Sequence, residues 1–477
     1  TSNHMIRRDF LKRFGLIATG VALTDPLATA GTAMAGTIAP AAAAQQQKSD
    51  IHVKIRSPKP ETDKPITVVI IGAGNRGRMY SKYSKTFNNH IKVVGVSDII
   101  ESRCNYVGDL HNVPQENRFG HYREVFERPK MADAVIIATP DDRHYEPCIK
   151  AMELGYHVLL EKPAAPTEKE CMDILKVSQE KNRIVAISHV LRYSPYFIAM
   201  KSVVDSGAIG ELVSIQHMEP IQYAHMAHSY VRGNWRCEKD TTPIILAKSC
   251  HDLDIIRWIV GKPCKSISAY GSLHLFKKEN MPAGAPPRCT DGCPHQDTCP
   301  YSAIDIYVKQ KRHLGVFDLK NRNDENEIME KLKTNWYGRC VYQCDNDQPD
   351  HYVANMEFED GVTSSFTMDA FSPWGGRRTR IMGTMGFIEG NSSTFTLWDF
   401  KTRTPKTWRM VVDEADEYKD AGHGGGDYGL VRDFVEAVAF EDPGKLSSSI
   451  ADSIESHVMG FAAEKSRKSN SKAVVKA

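Results

Sequence analysis

The sequence predicts an α/β protein of two domains: a doubly wound parallel sheet, then an α/β domain with a large, open, mostly antiparallel sheet. Three observations predict this fold. Near-continuous apolar segments alternate with helical segments up to about residue 190. Beyond residue 210, segments of alternating polar and apolar residues replace them. The chain has 477 residues, which is more than one hydrophobic core usually serves.

These patterns predict the elements in chain order. Parallel strands are expected where apolar, often β-branched residues run together, at 66–71, 91–97, 133–138, 156–160 and 184–187. Helices are predicted between them, among others at 143–154 and 167–181. Later strands are predicted at 353–358, 362–368 and 379–382, and closing helices at 428–440 and 450–465. The expected domains are residues 51–190 and 191–477, the second with a cysteine-rich insertion at 277–345.

A glycine-rich turn directly follows the first predicted strand. Gly72, Gly74 and Gly77 form G-x-G-x-x-G before a helical stretch. The first glycine permits a tight turn, the second lets the backbone approach a pyrophosphate, and the third lets helix and strand pack closely. The context indicates a Rossmann domain that binds a dinucleotide. A structural glycine turn in an unrelated α/β domain is the alternative.

The second predicted strand ends in Asp98, whose carboxylate suits the hydroxyls of an adenosine ribose. A carboxylate there repels a 2′-phosphate, so we expect NAD rather than NADP. Arg103 lies too far along the chain to reverse this preference.

Residues 1–50 predict a targeting segment that is not part of the fold. Arg7 and Arg8 precede a modest apolar stretch at 14–28 and small residues suited to cleavage at 33–35. This pattern resembles a twin-arginine (Tat-type) signal, which exports folded proteins to the periplasm. A basic N-terminus without a targeting role is the alternative. The apolar stretch is too short for a stable membrane span. Within the same 50 residues, 1–4 are interpreted as a cloning remnant and 39–47 as a linker.

The charge balance argues against nucleic acid as a partner. The chain has 61 Lys and Arg against 59 Asp and Glu, with no basic block or stripe. Its 41% hydrophobic and 25% charged residues are ordinary for a soluble globular protein.

Several short motifs, in order over about residues 65 to 470, resemble those of the glucose–fructose oxidoreductase, inositol dehydrogenase and rhizopine catabolism (Gfo/Idh/MocA) family. They are Ala138-Thr139-Pro140-Asp141 with His144, Glu161-Lys162-Pro163, Arg192-Tyr193-Ser194-Pro195, Ser206-Gly207-Ala208-Ile209-Gly210 and Cys250-His251-Asp252-Leu253-Asp254. The resemblance implies a Rossmann domain, a second domain whose sheet forms the substrate floor, and often a homo-oligomer, here a dimer or tetramer. It also implies oxidation or reduction of a sugar or polyol carbon through a nicotinamide. The cofactor-binding residues implied by the turn and these motifs are Gly72, Gly74, Asn75, Arg76, Gly77, Asp98, Arg103, Thr139, Pro140, His144, Glu161, Lys162 and Arg192.

The resemblance makes Lys162 and His251 the main catalytic candidates, with Lys248 and Tyr193 beside them. Lys162 would orient the reacting hydroxyl and assist proton transfer, and the imidazole of His251 suits acid–base work. A solvated loop lysine and a helix-capping or core histidine are the alternatives. Many family members carry an aspartate four residues before this histidine, where this chain has Ala247. Either Lys248 enters the pocket as a second cation, or His251 acts without a carboxylate.

Five further residues are candidates for substrate binding. Arg232, Trp235 and Arg236 offer stacking and hydrogen bonding to a pyranose, with interdomain packing as the alternative. His423 and Asp427 flank a glycine-rich turn before a helix, where Asp427 could equally be a helix cap.

The insertion contains five of the chain's 11 cysteines. They are Cys289, Cys293, Cys299, Cys340 and Cys344. Export would permit disulfides, while close spacing also suits a metal. The spacing matches no common zinc or iron–sulfur template, so disulfides and a metal stay open, with free thiols third, and no metal site is assigned.

Together these features predict an exported, NAD-dependent oxidoreductase acting on a secondary alcohol of a sugar, polyol or glycoside. Because free NAD is scarce outside the cytoplasm, we expect the enzyme to retain its NAD and return it to its starting redox state. The alternative is an NAD-dependent glycoside hydrolase that oxidises C3 transiently, eliminates the aglycone, adds water and reduces the ring again. Those hydrolases alter the motif that Glu161, Lys162 and Pro163 keep here. A non-catalytic sugar sensor is the third possibility.

Overall fold

The first sheet of the computed structural model, which describes residues 50–410, 417–418 and 420–475, has six parallel strands. They are β1 (Ile66–Ile71), β2 (Ile91–Ser97), β3 (Arg118–Phe119), β4 (Ala134–Ile137), β5 (His157–Leu160) and β6 (Val185–Ile187). Their order, β3-β2-β1-β4-β5-β6, reverses between β1 and β4, which is where a doubly wound sheet opens a ligand crevice. The predicted parallel sheet is confirmed. The targeting segment predicted at residues 1–50 lies almost wholly outside the described residues.

Helices connect these strands as predicted. They are α1 (Asn75–Thr86), α2 (Glu101–Leu110), α3 (Tyr122–Phe126), α4 (Tyr145–Glu153) and α5 (Glu168–Glu180). A capping box starts α5, because Thr167 and Glu170 each accept the other's backbone N–H. The helix predicted from residue 143 begins two residues later, since a short 3-10 turn first follows Pro140.

The second sheet has nine strands in the order β14-β13-β12-β11-β7-β10-β9-β8-β15. They are β7 (Leu212–Gln222), β8 (Cys264–Ser272), β9 (His351–Phe358), β10 (Thr363–Ser372), β11 (Arg378–Gly383), β12 (Gly386–Gly390), β13 (Thr394–Asp399), β14 (Pro405–Arg409) and β15 (Ala473–Val474). Within this second sheet, β7 and β10 are the only described strands that pair in parallel, so the predicted mostly antiparallel sheet is confirmed. Burial alternates along β9 and β10, which leaves one face of the sheet toward solvent.

The remaining helices are α6 (Pro195–Asp205), α7 (Tyr223–Met226), α8 (Ile244–Ala247), α9 (Cys250–Val260), α10 (Glu325–Thr334), α11 (Gly426–Phe440) and α12 (Ile450–Ser469). Of these, α11 is buried almost throughout. At its start, a Cβ on Gly426 would lie 2.0 Å from the carbonyl oxygen of Val190. The ring of Tyr428 also packs edge-on at 5.1 Å against Tyr83 of α1. Helix α11 therefore packs against the Rossmann domain, on the helix that follows the glycine-rich turn.

The part of the chain that the structure describes contains no helix both long and apolar enough to cross a membrane. All eleven cysteines are free, so none of the disulfides considered for the insertion is formed.

Candidate active site

The glycine-rich turn after β1 is tightly built. Gly72 has a φ of +92°, and a Cβ there would lie 2.6 Å from the carbonyl oxygen of Ala138. A Cβ on Gly77 would lie 1.9 Å from the oxygen of Gly72, whereas one on Gly74 would meet nothing within 4 Å. The first and third glycines are thus required by packing. The second leaves open space where a pyrophosphate would approach.

The carboxylate of Asp98 supports this turn. One oxygen accepts a hydrogen bond of 2.7 Å from the backbone N–H of Ala73, and the other accepts one of 2.8 Å from Ile100. Asp98 therefore lies against the glycine-rich turn, and its contact with the ribose hydroxyls stays a prediction.

Residues 313–318 of the insertion, which we call the covering segment, reach the same turn. Gly315 packs against Asn75, the first residue of α1. A Cβ built on Gly315 would lie only 3.2 Å from the Asn75 Oδ1. Asp318 forms an ion pair of 3.1 Å with Arg103 on α2. The insertion thus covers the predicted cofactor cleft from the second domain.

Arg76, a predicted cofactor ligand, bridges the two domains. Its guanidinium donates to Glu161 at 2.5 Å, to Tyr80 at 2.8 Å and to Asp427 at 2.8 Å. Burial raises the pKa of Glu161, but the charge and hydrogen bond of Arg76, the hydrogen bond from Tyr80 and the charge of Lys162 together lower it to about 2. The carboxylate is therefore ionised at neutral pH and holds the turn to the end of β5.

The turn after β4 is held by His144, which is fully buried. Its ring nitrogens lie 2.7 Å from the carbonyl oxygen of Pro163 and 2.8 Å from that of Thr139. The Thr139 hydroxyl donates to the Arg143 carbonyl, and Pro140 is exposed. His144 therefore connects two crevice turns, while Thr139 and Pro140 remain at their surface.

Lys162 follows β5 at the edge of the sheet where parallel strands place ligands. Its Nζ donates a hydrogen bond of 2.5 Å to the carbonyl oxygen of Ala247. Ala247 is the position at which the resemblance implies an aspartate, and Lys162 contacts a backbone carbonyl there.

His251 lies on the first turn of α9, and its Nδ1 is buried without a hydrogen-bond partner among the described residues. Its ring centroid is 5.8 Å from that of His423, whose Nδ1 lies 3.0 Å from Asp427. Burial lowers the pKa of His251 well below its ordinary range, and the charge of Lys162 lowers it further. The imidazole is therefore uncharged at neutral pH, and a ring nitrogen without a proton can accept a hydrogen bond from a hydroxyl group.

Lys248 turns away from this pair into a buried charge network. Its Nζ lies 3.1 Å from Glu219 on β7. Arg377 lies 2.5 Å from the same Glu219 and 2.9 Å from Asp252, which also contacts His217 at 2.9 Å. Glu219, Asp252 and Arg377 were not proposed from the sequence, because β7, α9 and the loop before β11 are distant in the chain and no short motif joins them.

The structure does not bring three predicted residues to this site. Arg192 is buried in a two-point ion pair with Asp254, at 2.6 and 2.7 Å. Tyr193 is buried beneath α11, where a Cβ on Gly429 would lie 2.8 Å from its carbonyl oxygen. Arg232 is fully buried and donates to carbonyl oxygens of the insertion. Each was singled out by its neighbours in the sequence, but its own side chain points into the protein.

Trp235 and Arg236 take the packing role that was the alternative to sugar binding. The indole N–H of Trp235 donates to both oxygens of Asp141 at 3.1 Å, which connects the domains. Arg236 pairs with Asp345 at 2.8 Å and stacks on the Trp336 ring at 3.6 Å. His423 and Asp427, by contrast, do reach the site.

His189, Cys250 and His251 form the one group in the described part of the chain whose potential metal-binding atoms all lie within 4.8 Å of one another. All three residues are buried, and burial lowers the pKa of His189 to about 3. The absence of a metal stays a prediction.

Buried, uncharged histidines are expected to make the free energy of unfolding fall as the pH falls. In the neutral form, His457 accepts from the Ala164 N–H at 2.9 Å and lies 2.7 Å from the Ser453 carbonyl, and burial lowers its pKa to about 3. In the unfolded chain the imidazole binds a proton below about pH 6.5, so stability falls as pH falls from 6.5 toward 3, by about 1.4 kcal/mol per pH unit for each such group.

Urea unfolding at pH 7, 6 and 5 should show that the free energy of unfolding depends less steeply on pH in His457→Gln, because glutamine keeps both hydrogen bonds and binds no proton. His52→Gln, at an exposed position, should keep the wild-type slope; an unchanged slope in His457→Gln would contradict the assignment.

A Rossmann sheet with a G-x-G-x-x-G turn and a lysine at its carboxyl edge, facing two histidines of a second domain, defines a two-domain, nucleotide-binding oxidoreductase. Comparison with known proteins gives the family. The NAD-binding Rossmann domain of the Gfo/Idh/MocA oxidoreductases matches residues 66–189, and their C-terminal alpha/beta domain matches residues 201–466. The chain belongs to this family.

Among its relatives is a Bacillus subtilis protein, YteT, whose name describes it as an oxidoreductase; the match is 25% identical over 76% of this chain and 87% of YteT. Inositol 2-dehydrogenase of Salmonella typhimurium is 24% identical over 42% of this chain and 56% of that enzyme. The fold is also similar to levoglucosan dehydrogenase in complex with NADH and levoglucosan, with a TM-score of 0.65 and 18% identity over 87% of this chain and all of that one.

Proposed function

We propose that the protein is an NAD-dependent oxidoreductase acting on a secondary alcohol of a sugar, polyol or glycoside. One observation carries the proposal: Lys162, His251 and His423 converge at the carboxyl edge of the Rossmann sheet, beside the glycine-rich turn. The names of two relatives, inositol 2-dehydrogenase and levoglucosan dehydrogenase, support a polyhydroxylated ring as substrate.

In this mechanism the uncharged His251 takes the hydroxyl proton at its unpartnered Nδ1. The ammonium group of Lys162, aligned by the Ala247 carbonyl, donates to the same substrate oxygen and stabilises its developing charge. NAD, when bound, supplies the acceptor for the hydride that leaves the carbon. In the reverse step His251 returns the proton and restores the alcohol.

Two acidic groups favour NAD over NADP. The Asp98 carboxylate lies at the end of β2, where it repels a 2′-phosphate. Asp318 of the covering segment pairs with Arg103, so this cation is already engaged.

We further propose that the enzyme is exported and retains its cofactor. The paired arginines Arg7 and Arg8 support the twin-arginine route. Away from a cytoplasmic supply of NAD, turnover requires that each oxidation be followed by a reduction on the same cofactor. Two alternating substrates satisfy this requirement, and so does the oxidation–reduction of one glycoside in the hydrolase alternative.

The test is to denature freshly purified protein and identify the released nucleotide. We expect close to one NAD per chain and little NADP, because the covering segment closes over the turn. Asp318→Ala, which removes the contact to Arg103, should purify with less NAD. With substrate, NADH absorbance should rise once and not accumulate; release of an aglycone at that point would favour the hydrolase. Empty protein that accumulates NADH steadily would contradict both retention and export.

A homo-oligomer is also proposed, with the solvent face of the second sheet as its contact. Tyr270, Val353 and Met218 lie in one row across β8, β9, β10 and β7, and all three are exposed. A row of large apolar residues on an open sheet is typical of a surface that pairs with a second copy.

A further inference from the structure

Four cysteines of the insertion line one cavity. They are Cys289, Cys293, Cys299 and Cys340. With its opening, the cavity holds about 380 Å³ free of protein atoms. The fifth cysteine, Cys344, is not in the wall, and its thiol donates to the Cys340 carbonyl at 3.3 Å. The fold thus gathers four thiols from two separate segments and leaves the fifth outside.

A buried positive charge at the wall of this cavity favours a negatively charged occupant. Arg232 also lines it, is fully buried, and has no carboxylate among its hydrogen-bond acceptors. Its Nη2 lies 3.7 Å from the sulfur of Cys289, and its Nη1 has no partner among the described residues. A buried guanidinium without a counter-charge is costly, and thiolates would supply one. A metal that binds these thiols releases their protons and leaves thiolates facing the arginine.

The spacing of the sulfurs excludes a ready-made zinc site. Four sulfurs around one zinc lie about 3.8 Å apart, given a Zn–S bond of about 2.3 Å. In the described ranges, no three cysteine sulfurs lie within 4.8 Å of one another. An iron–sulfur cluster places iron and sulfide ions between its cysteine ligands and holds them farther apart. Its sulfurs also accept N–H groups, as Cys289 does from the Ala303 amide at 3.4 Å.

We infer that Cys289, Cys293, Cys299 and Cys340 ligate an iron–sulfur cluster that ties the two halves of the insertion together. Its charge is balanced by Arg232. The role is structural: the cluster joins the segment before α10 to the one after it, so the covering segment between them is held from both sides.

The test uses the full chain, purified without oxygen. Wild type should contain about two to four iron atoms per chain with matching acid-labile sulfide, and absorb broadly in the visible range. Cys299→Ser should lower the iron content by at least about tenfold. Cys344→Ser, which changes the thiol outside the cavity wall, should keep it.

Three results would overturn the inference: one zinc per chain and no iron, neither metal with all thiols reactive, or equal iron loss in both variants. If Cys299→Ser does not fold, the iron and sulfide analysis of the wild type decides. NAD content is measured on the same samples, so a failure of the proposed catalytic function would be seen separately.

Discussion

Lys162→Ala is expected to lower turnover by about 10²–10⁴-fold, the range typical of losing a group that assists proton transfer. The ammonium donates to the Ala247 carbonyl and forms no close ion pair among the described residues, so its removal breaks no salt bridge. We therefore expect NAD content and thermal unfolding to stay near those of the wild type. The measurement is single-turnover oxidation with NAD bound, alongside nucleotide content and melting temperature.

Two matched variants sharpen this test. Lys162→Arg keeps the charge but loses the lysine's geometry, so its activity should also fall. Lys176→Ala removes an exposed lysine of α5 and should have no effect. Wild-type activity in Lys162→Ala would exclude this residue from catalysis.

The glycine-rich turn predicts a second large effect, with opposite outcomes at two neighbouring positions. Gly77→Ala should destabilise the protein even without NAD, since its Cβ would overlap the Gly72 oxygen at 1.9 Å. Gly74→Ala should fold normally, because that Cβ meets nothing within 4 Å. It should nevertheless weaken NAD binding by about 100-fold or more, since the methyl group occupies the path of the pyrophosphate.

Melting temperature without nucleotide and NAD affinity, measured on both variants, distinguish these effects. Normal NAD binding by Gly74→Ala would mean that the dinucleotide does not lie along this turn. Normal stability of Gly77→Ala would contradict the close packing of helix α1 on β1.

The sequence predicted what local patterns can encode. The strand 66–71 and the glycines after it follow from residues that are adjacent in the chain, and β1 has those bounds. Lys162 and His251 could be named because each lies in a short motif. The motif around Arg192 and Tyr193 was equally clear, but a motif does not say which way a side chain points.

What the sequence could not predict depends on contacts between distant segments. Arg377 meets Glu219 and Asp252 only because β7 and β11 are neighbours in the sheet. The Arg103 to Asp318 contact likewise requires knowing that the insertion folds back over the first domain. No periodicity or spacing carries that information.

One carboxylate connects the two halves of the crevice. Asp427 accepts from Arg76 of the glycine-rich turn at 2.8 Å and lies 3.0 Å from His423, which faces His251. Anything that draws Arg76 toward a phosphate changes the charge that His423 experiences. Bound nucleotide therefore changes the affinity for the sugar, and bound sugar changes the affinity for the nucleotide by the same factor. We therefore expect the sugar to bind with different affinity to the NAD-loaded and the NAD-free protein.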